Sequence, residues 1–396
     1  MRKPEMIKEA VKTKKTAKAK KQRKLRRQNM SHVLVINPIL YTSETNNIPR
    51  VESVKDTMIY ALCLGFVKEG HHVTLIAAED YRPTVEERYD FPIVWMKTVW
   101  RSIFQPRCFP YMPQLRGYLR KHEEYDYIIS SEMFATWSYT ASRVCPGKTV
   151  IWHELAKHNN MLHRIPSHVW YRMVAAVLMR KVTVVPRSRA AADFIKQFSN
   201  KVSDTIIDHG VDIEEMTPTR AEDKKDQFAV VSQLIERKRI DKTIDNFAAF
   251  WNKGHQDYRL YIIGSGEKEE MLKDQTERLH IGDAVIFCGK LTHEELLPIV
   301  SKSKALLVST EKDNNMVSVV ESIAVGTPVI TTSVPYNAYY IAKEDLGIVK
   351  DDWGKDTLEQ LCEKYDVYCA KCLAYRDKLS NIYCVRQFMA VKDSLV

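Results

Sequence analysis

The chain has 396 residues, 45% of them hydrophobic and 28% charged, with a formal net charge of +10. That length and apolar content fit two or three globular domains and exclude a wholly disordered chain. Residues 1–29 hold 13 Lys or Arg against two Glu, a net of +11, so the rest of the chain stands at −1 and its folded body gives no sign of binding nucleic acid.

The tail, residues 1–31, is nearly free of large apolar side chains and cannot bury enough surface to fold alone. Three readings fit it: a tether to an anionic membrane surface, a nucleic-acid contact, and an upstream extension with no role. Met30 and Ser31 directly before the first strand favour the first or the last. No apolar run approaches the roughly 18 residues of a transmembrane helix, and the start lacks the apolar stretch of a signal peptide. A cytoplasmic setting is therefore expected, peripheral on the inner face of the cell membrane if the tail binds lipid, with the eight cysteines reduced. Cys369 and Cys372 form a single CxxC with no matching pair at zinc-site spacing, so no metal site is expected.

Residues 32–37 are a short apolar run and read as a buried strand. The loop over 38–56 is polar and contains no Gly. A helix over 57–68 stops at Gly70, and 72–77 is the next strand, so the chain opens as βαβ with a doubly wound parallel sheet. Residues 91–120 concentrate aromatics and arginines, among them Trp95, Trp100, Phe104, Arg101, Arg107, Arg116 and Arg120. Ordinary packing with a solvated basic face explains them. A patch for a membrane interface or a glycan acceptor is the functional alternative. Strands follow at 127–130 and 149–152, and His153 and Glu154 come directly after the second. Residues at that end of a strand line the ligand crevice of such a sheet, although a histidine satisfied within its own loop fits His153 as well. Strands at 182–185 and 205–207 complete this half.

Residues 213–226 are charged and read as a linker. A second half restarts with a strand at 228–232, then a polar loop holding Gln233, Arg237, Lys238 and Arg239, then a helix through Phe250. The strand at 261–263 ends in Gly264-Ser265-Gly266, and 285–291 is a strand and turn carrying Lys290. Helices are expected at 293–302, 356–374 and 376–394.

The most informative stretch is 305–330. Residues 305–308 read as a buried strand, and 310–315 as a loop holding Asp313 and Asn314. Asn315 is placed to cap a helix starting near Met316 and Val317. Met316, Val319, Val320 and Ile323 fall on one helical face. Glu321 falls on another, where an ordinary helix would point it to solvent. Gly326 suits a left-handed helix end, and Pro328 stops the helix before the next strand. A β-loop-α-turn-β unit aims the helix N-terminus at the carboxyl edge of the sheet, which is an anion site.

Asp313, seven residues, Glu321, then Ser-Ile-Ala-Val and Gly326-Thr327-Pro328-Val329 resemble the donor-site signature of GT4-type retaining glycosyltransferases. Asp in place of the commoner Glu at the first position is a mild departure. The segment 208–212 resembles the Asn-Gly-Val-Asp run that ends the first domain in that family. Residues 233–239 resemble its Arg-Leu-x-x-x-Lys-Gly loop, with Lys238 matching the Lys, Gln233 replacing the Arg and Arg239 replacing the Gly. The resemblance implies an α/β chain of two Rossmann-like doubly wound domains facing across a cleft, the GT-B fold. The expected parts are an acceptor domain at 32–212, the linker, a nucleotide-sugar donor domain at 227–375, and a helix at 376–396 packing back on the N-terminal domain. It implies transfer of a sugar from a nucleotide-sugar donor to a glycan, lipid-linked or other envelope-type acceptor, with retention and without a metal. The nucleotide-sugar is a substrate, so no cofactor is implied. Lys238 would bind the diphosphate, Asp313 the sugar hydroxyls, Glu321 the ribose hydroxyls, and His153 the donor sugar. Gln233, Arg237, Gly264, Ser265, Lys290, Asn314, Asn315, Met316 and Val317 would complete the donor site. A sugar-nucleotide epimerase on the same scaffold and a non-catalytic nucleic-acid-binding protein are the alternatives. The aromatic stretch at 91–120 leans against the first and the neutral body against the second.

Overall fold

The computed structural model describes residues 30–40, 53–55, 57–104, 109–159 and 161–395. The basic tail, most of the loop after the first strand, and Arg107 lie outside these residues. The chain divides into two compact units. One comprises Met1–Val185, Lys196–Ser203 and Met389–Val396, and the other comprises Pro186–Ile195 and Asp204–Phe388.

The first unit is built on β1 (His32–Ile36), β2 (His72–Ala78), β3 (Ile93–Met96), β4 (Tyr127–Ser131), β5 (Thr149–His153) and β6 (Thr183–Pro186), in the order β3-β2-β1-β4-β5-β6. The strands pair parallel, with Val33 opposite both Val73 and Tyr127. Parallel strands joined by helices are covered on both faces and so read as unbroken apolar runs. Val33, Leu34, Ile36, Leu75, Ile76, Ile129 and Ile151 are all buried. The helix Met58–Lys68 is capped by the Thr57 side chain, which accepts from the Tyr60 N–H.

The second unit repeats the plan. Its strands are β7 (Gln227–Val231), β8 (Arg259–Ile263), β9 (Val285–Gly289), β10 (Ala305–Val308), β11 (Val329–Thr331) and β12 (Gly347–Val349), in the order β12-β11-β10-β7-β8-β9. Phe228, Val230, Leu260, Ile262, Leu307 and Ile330 form its core with Ile244 and Phe247 of the helix Ile240–Trp251. Both units are Rossmann-like doubly wound sheets.

The segment expected as a strand at 205–207 is irregular. Its Ile207 N–H donates to the Pro186 carbonyl at 3.0 Å, and Val184 bridges Val202. The charged segment 213–226 is tied to the second unit. The Thr219 N–H donates to Val325 O, and half-buried Lys224 Nζ donates to Ser301 O and Thr327 Oγ1, each at 2.8 Å. The long helix expected over 376–394 is broken: a 3₁₀ turn at Arg376–Leu379 precedes the helix Asn381–Asp393. The break lets Ser380 bridge Val211. Residues 389–396 belong to the first unit, where Lys392 Nζ donates to Ser31 Oγ at 2.7 Å.

Candidate functional site

In the second sheet the strand order reverses between β7 and β10. In open α/β sheets ligands bind at the carboxyl ends of the strands beside such a reversal. The loops leaving β7 and β10 meet there. The first makes a short 3₁₀ turn, Glu236–Lys238, and ends it at Arg239 with φ +49°. That left-handed backbone favours glycine, which accounts for Gly in the resembling motif where this chain has Arg.

Lys238 Nζ lies 2.6 Å from Asp313 Oδ2, and Thr310 Oγ1 donates to the same oxygen at 2.8 Å. Arg237 Nη1 lies 3.2 Å from Asp313 Oδ1 and donates to the Lys312 carbonyl at 2.5 Å. The Glu311 N–H donates back to the Arg237 carbonyl. The Lys238 and Asp313 side chains are only 10% and 14% exposed. Two cations thus converge on one carboxylate where water screens them poorly. The residual charge is positive, which suits an anion. Arg239 is turned elsewhere. Its guanidinium donates to Asp241 and Glu311, and these bonds raise its pKa. Burial pushes the Asp241 carboxyl up, but the bond and charge of Arg239 more than offset this and hold it low.

The loop after β8 is laced to the same edge by main chain. Gly264 stands at φ +135°, and a Cβ there would lie 1.8 Å from the Ser232 carbonyl oxygen. The Gly264 N–H donates to Gly289 O at 2.8 Å, and the Leu234 N–H donates to Ser265 O at 3.0 Å. Gln233, Ser265 and Lys290 are exposed beside this seam. Beyond the β10 loop, the helix Val317–Ala324 carries Glu321. Its side chain is not turned to solvent: it is 6% exposed, with Oε1 3.1 Å from His293 Nδ1.

Asn315 does not cap this helix. Met316 occupies the cap position without a side-chain bond. Asn315 Nδ2 donates instead to Asp208 Oδ1 at 2.5 Å and to the Arg187 carbonyl at 3.4 Å. The Met316 N–H donates to Asn337 Oδ1 at 2.5 Å. Asn314 is exposed. The segment 208–212 is thereby tied to the loop after β10. In it His209 is half-buried with its ring Nδ1 out of contact with water, and its pKa is pushed down to about 3 by burial of the ring and then by the Arg187 charge. A cavity of about 520 Å³ lies on the other side of the β10 loop, lined by Thr310, Glu311, Lys242 and Trp353 but by none of Lys238, Asp313 and Glu321.

His153 belongs to the first unit, at the carboxyl end of β5. It is buried, and its Nδ1–H donates to a carboxylate oxygen of Glu132. The other Glu132 oxygen accepts the N–H groups of Glu154 and Leu155 at 3.3 Å. Glu132 follows β4 directly and stands at φ +68°. Sequence reasoning missed it. The signal was there, an acidic residue at a strand end like His153 itself. Among the described residues no group of three or more His, Cys, Asp and Glu is placed to hold a metal.

Residues 212–365 match the family model described as glycosyl transferases group 1, and residues 56–215 match that of glycosyltransferase family 4. The chain belongs to the GT4-type glycosyltransferases. It is 24% identical over 320 residues to alpha-monoglucosyldiacylglycerol synthase of Streptococcus pneumoniae (strain ATCC BAA-255 / R6), a match covering 73% of this chain and 69% of that protein. A shorter match, 27% identical over 104 residues, is to the N-acetyl-alpha-D-glucosaminyl L-malate synthase of Bacillus anthracis, covering 26% of this chain and 26% of that one. Two solved structures share the fold. Anabaena HepE in complex with UDP has a TM-score of 0.64 at 13% identity, covering 92% of this chain and 100% of its own. WaaG, a glycosyltransferase involved in lipopolysaccharide biosynthesis, has a TM-score of 0.60 at 13% identity, with 92% and 99% covered. These neighbours show the GT-B fold, built of two Rossmann-like domains.

Proposed function

We propose that this glycosyltransferase moves a sugar, with retention and without a metal, from a nucleoside-diphosphate sugar held by the second unit to a glycan or lipid-linked acceptor. The observation that carries the reading is the convergence of Lys238 and Arg237 on Asp313 at the strand-order reversal. As the bond from the anomeric carbon to the diphosphate breaks, both electrons stay on the phosphate oxygen. Preorganised cations stabilise that growing charge more in the transition state than in the ground state. Lys238 and Arg237 are assigned to it. Arg237 takes the place of the Arg that Gln233 replaces, because Arg239 is committed to Asp241 and Glu311. Asp313 orients both cations and binds sugar hydroxyls, and Glu321 binds the ribose. Gln233, Ser265, Lys290 and the backbone of 314–317 complete the site. His153 is assigned to the transferred sugar, with Glu132 fixing its tautomer.

A UDP-sugar is the donor to test first, since the HepE structures hold UDP and UDP-glucose. Diacylglycerol is the first acceptor, as the pneumococcal relative's name suggests. Thermal-shift titration with UDP, GDP and their sugars reads donor binding by mass action. Product anomers read by NMR then test retention. No stabilisation by any nucleoside diphosphate would sink the reading.

A further inference from the structure

We propose that the helical segment 163–181 of the first unit is a docking surface for an anionic lipid bilayer. The helix Ile165–Val169 runs directly into a π-helix, Trp170–Leu178. Ile165, Val169, Met173 and Val177 stand four apart and are 65%, 55%, 63% and 54% exposed. In an α-helix, positions four apart drift by about 40°, and the wider π turn swings the row back, so the four make one narrow apolar stripe. Ser167, Tyr171, Ala175 and Met179 are buried at the same spacing and hold the opposite face to the body of the unit.

One residue ahead of the stripe runs a row of exposed cations and a histidine: Arg164, His168, Arg172 and Arg180, with Lys181 at its end. No Asp or Glu occurs between residues 155 and 192. A second apolar group adjoins. Trp100 and Ile103 are 63% and 71% exposed, and the rings of Trp100, Phe104, Phe109 and Trp170 form a chain with centroids 5.4–6.2 Å apart. Trp100 holds left-handed backbone at φ +52°.

A soluble surface rarely leaves so much apolar area in contact with water without a partner. The occupant must accept an apolar row and a parallel positive row together. A bilayer interface offers both, acyl chains below anionic headgroups, with indole rings at the boundary. A second copy of the chain fits worse, because its row of arginines would meet another like it. The proposal does not rest on the sugar-transfer reading, since lipid binding is measured without donor or acceptor.

The test is sedimentation of the full chain with vesicles of phosphatidylcholine alone or mixed equally with phosphatidylglycerol. The unaltered chain is expected to bind the mixed vesicles. Val169→Asp with Met173→Asp is expected to lower bound protein by about tenfold, and to remove binding that survives high salt. Arg172→Ser with Arg180→Ser is expected to weaken the preference for anionic vesicles. Val169→Ser with Met173→Ser replaces the first pair if it melts early. Quenching of Trp100 by brominated lipid, lost in Trp100→Phe, reports the same surface. Vesicle binding unchanged in both apolar pairs overturns the proposal. So does loss of self-association in those pairs with lipid binding intact, which would assign the stripe to a second copy.

Discussion

The Lys238 ammonium and the Asp313 carboxylate are 75 residues apart in sequence and 2.6 Å apart at the carboxyl edge of the second sheet. The pair joins the two loops that flank the strand-order reversal, and its charge is nearly dry. Lys238→Ala is expected to lower kcat/KM by about 10²-fold or more, on the order of 3 kcal/mol, as for loss of an electrostatic stabiliser. Steady-state kinetics on folded protein checks this. Activity within about threefold of the unaltered enzyme would remove Lys238 from the diphosphate.

Arg237 and Arg239 separate by their partners. Arg237→Ala is expected to weaken binding of the nucleoside diphosphate by about tenfold, the scale of one charged hydrogen bond. Arg239→Ala, whose partners are Asp241 and Glu311, is expected to change it little. Calorimetric titration of both variants decides, and the reverse order would reassign the lost family Arg to Arg239.

Glu321→Ala is expected to act on donor binding and not on the chemical step. KM for the donor is expected to rise by roughly tenfold while kcat holds, the mark of a contact made equally in ground and transition states. A fall in kcat with KM unchanged would contradict the ribose assignment.

Activity is expected to survive EDTA. Cationic side chains and backbone N–H groups take the diphosphate charge in this reading, and the sequence has no Asp-x-Asp near the donor loops. Activity lost on chelation and restored by Mg²⁺ or Mn²⁺ would overturn the metal-free mechanism.

His209 makes stability depend on pH. Burial and Arg187 push its pKa down to about 3, from an ordinary 6.5. The folded state therefore keeps it neutral where the unfolded chain already binds a proton. Its contribution is complete above pH 6.5 and is lost as pH falls toward 3, with a slope approaching about 1.4 kcal/mol per pH unit. Melting curves at several pH values should show His209→Gln flatter than the unaltered chain between pH 6.5 and 4. Equal slopes would mean that His209 is not the group responsible.

The fold was legible because β1, β7 and β10 are buried on both faces and therefore stand out as unbroken apolar runs between polar loops. The loop positions of Lys238 and Asp313 were legible for the same reason, but their contact was not, because local spacing carries no information about a partner 75 residues away. Asn315 was misread because an amide before a helix serves a cap or a distant carboxylate equally well, and Asp208 prevailed. Residues 205–207 have the β-branched content of a strand, yet they form no regular strand. The stripe from Ile165 to Val177 passed unnoticed because apolar residues at helical spacing ordinarily face a core.

Residues 389–396 belong to the unit that holds β1, and Lys392 Nζ reaches Ser31 Oγ. On a ribosome, chains usually fold domain by domain from the N-terminus. Here the first sheet can form early, but the unit built on it is not complete until residues 389–396 have been synthesised. Its final docking step therefore follows translation of the whole second unit, whose own residues, 204–388, are contiguous apart from the short 186–195 segment and are all available sooner.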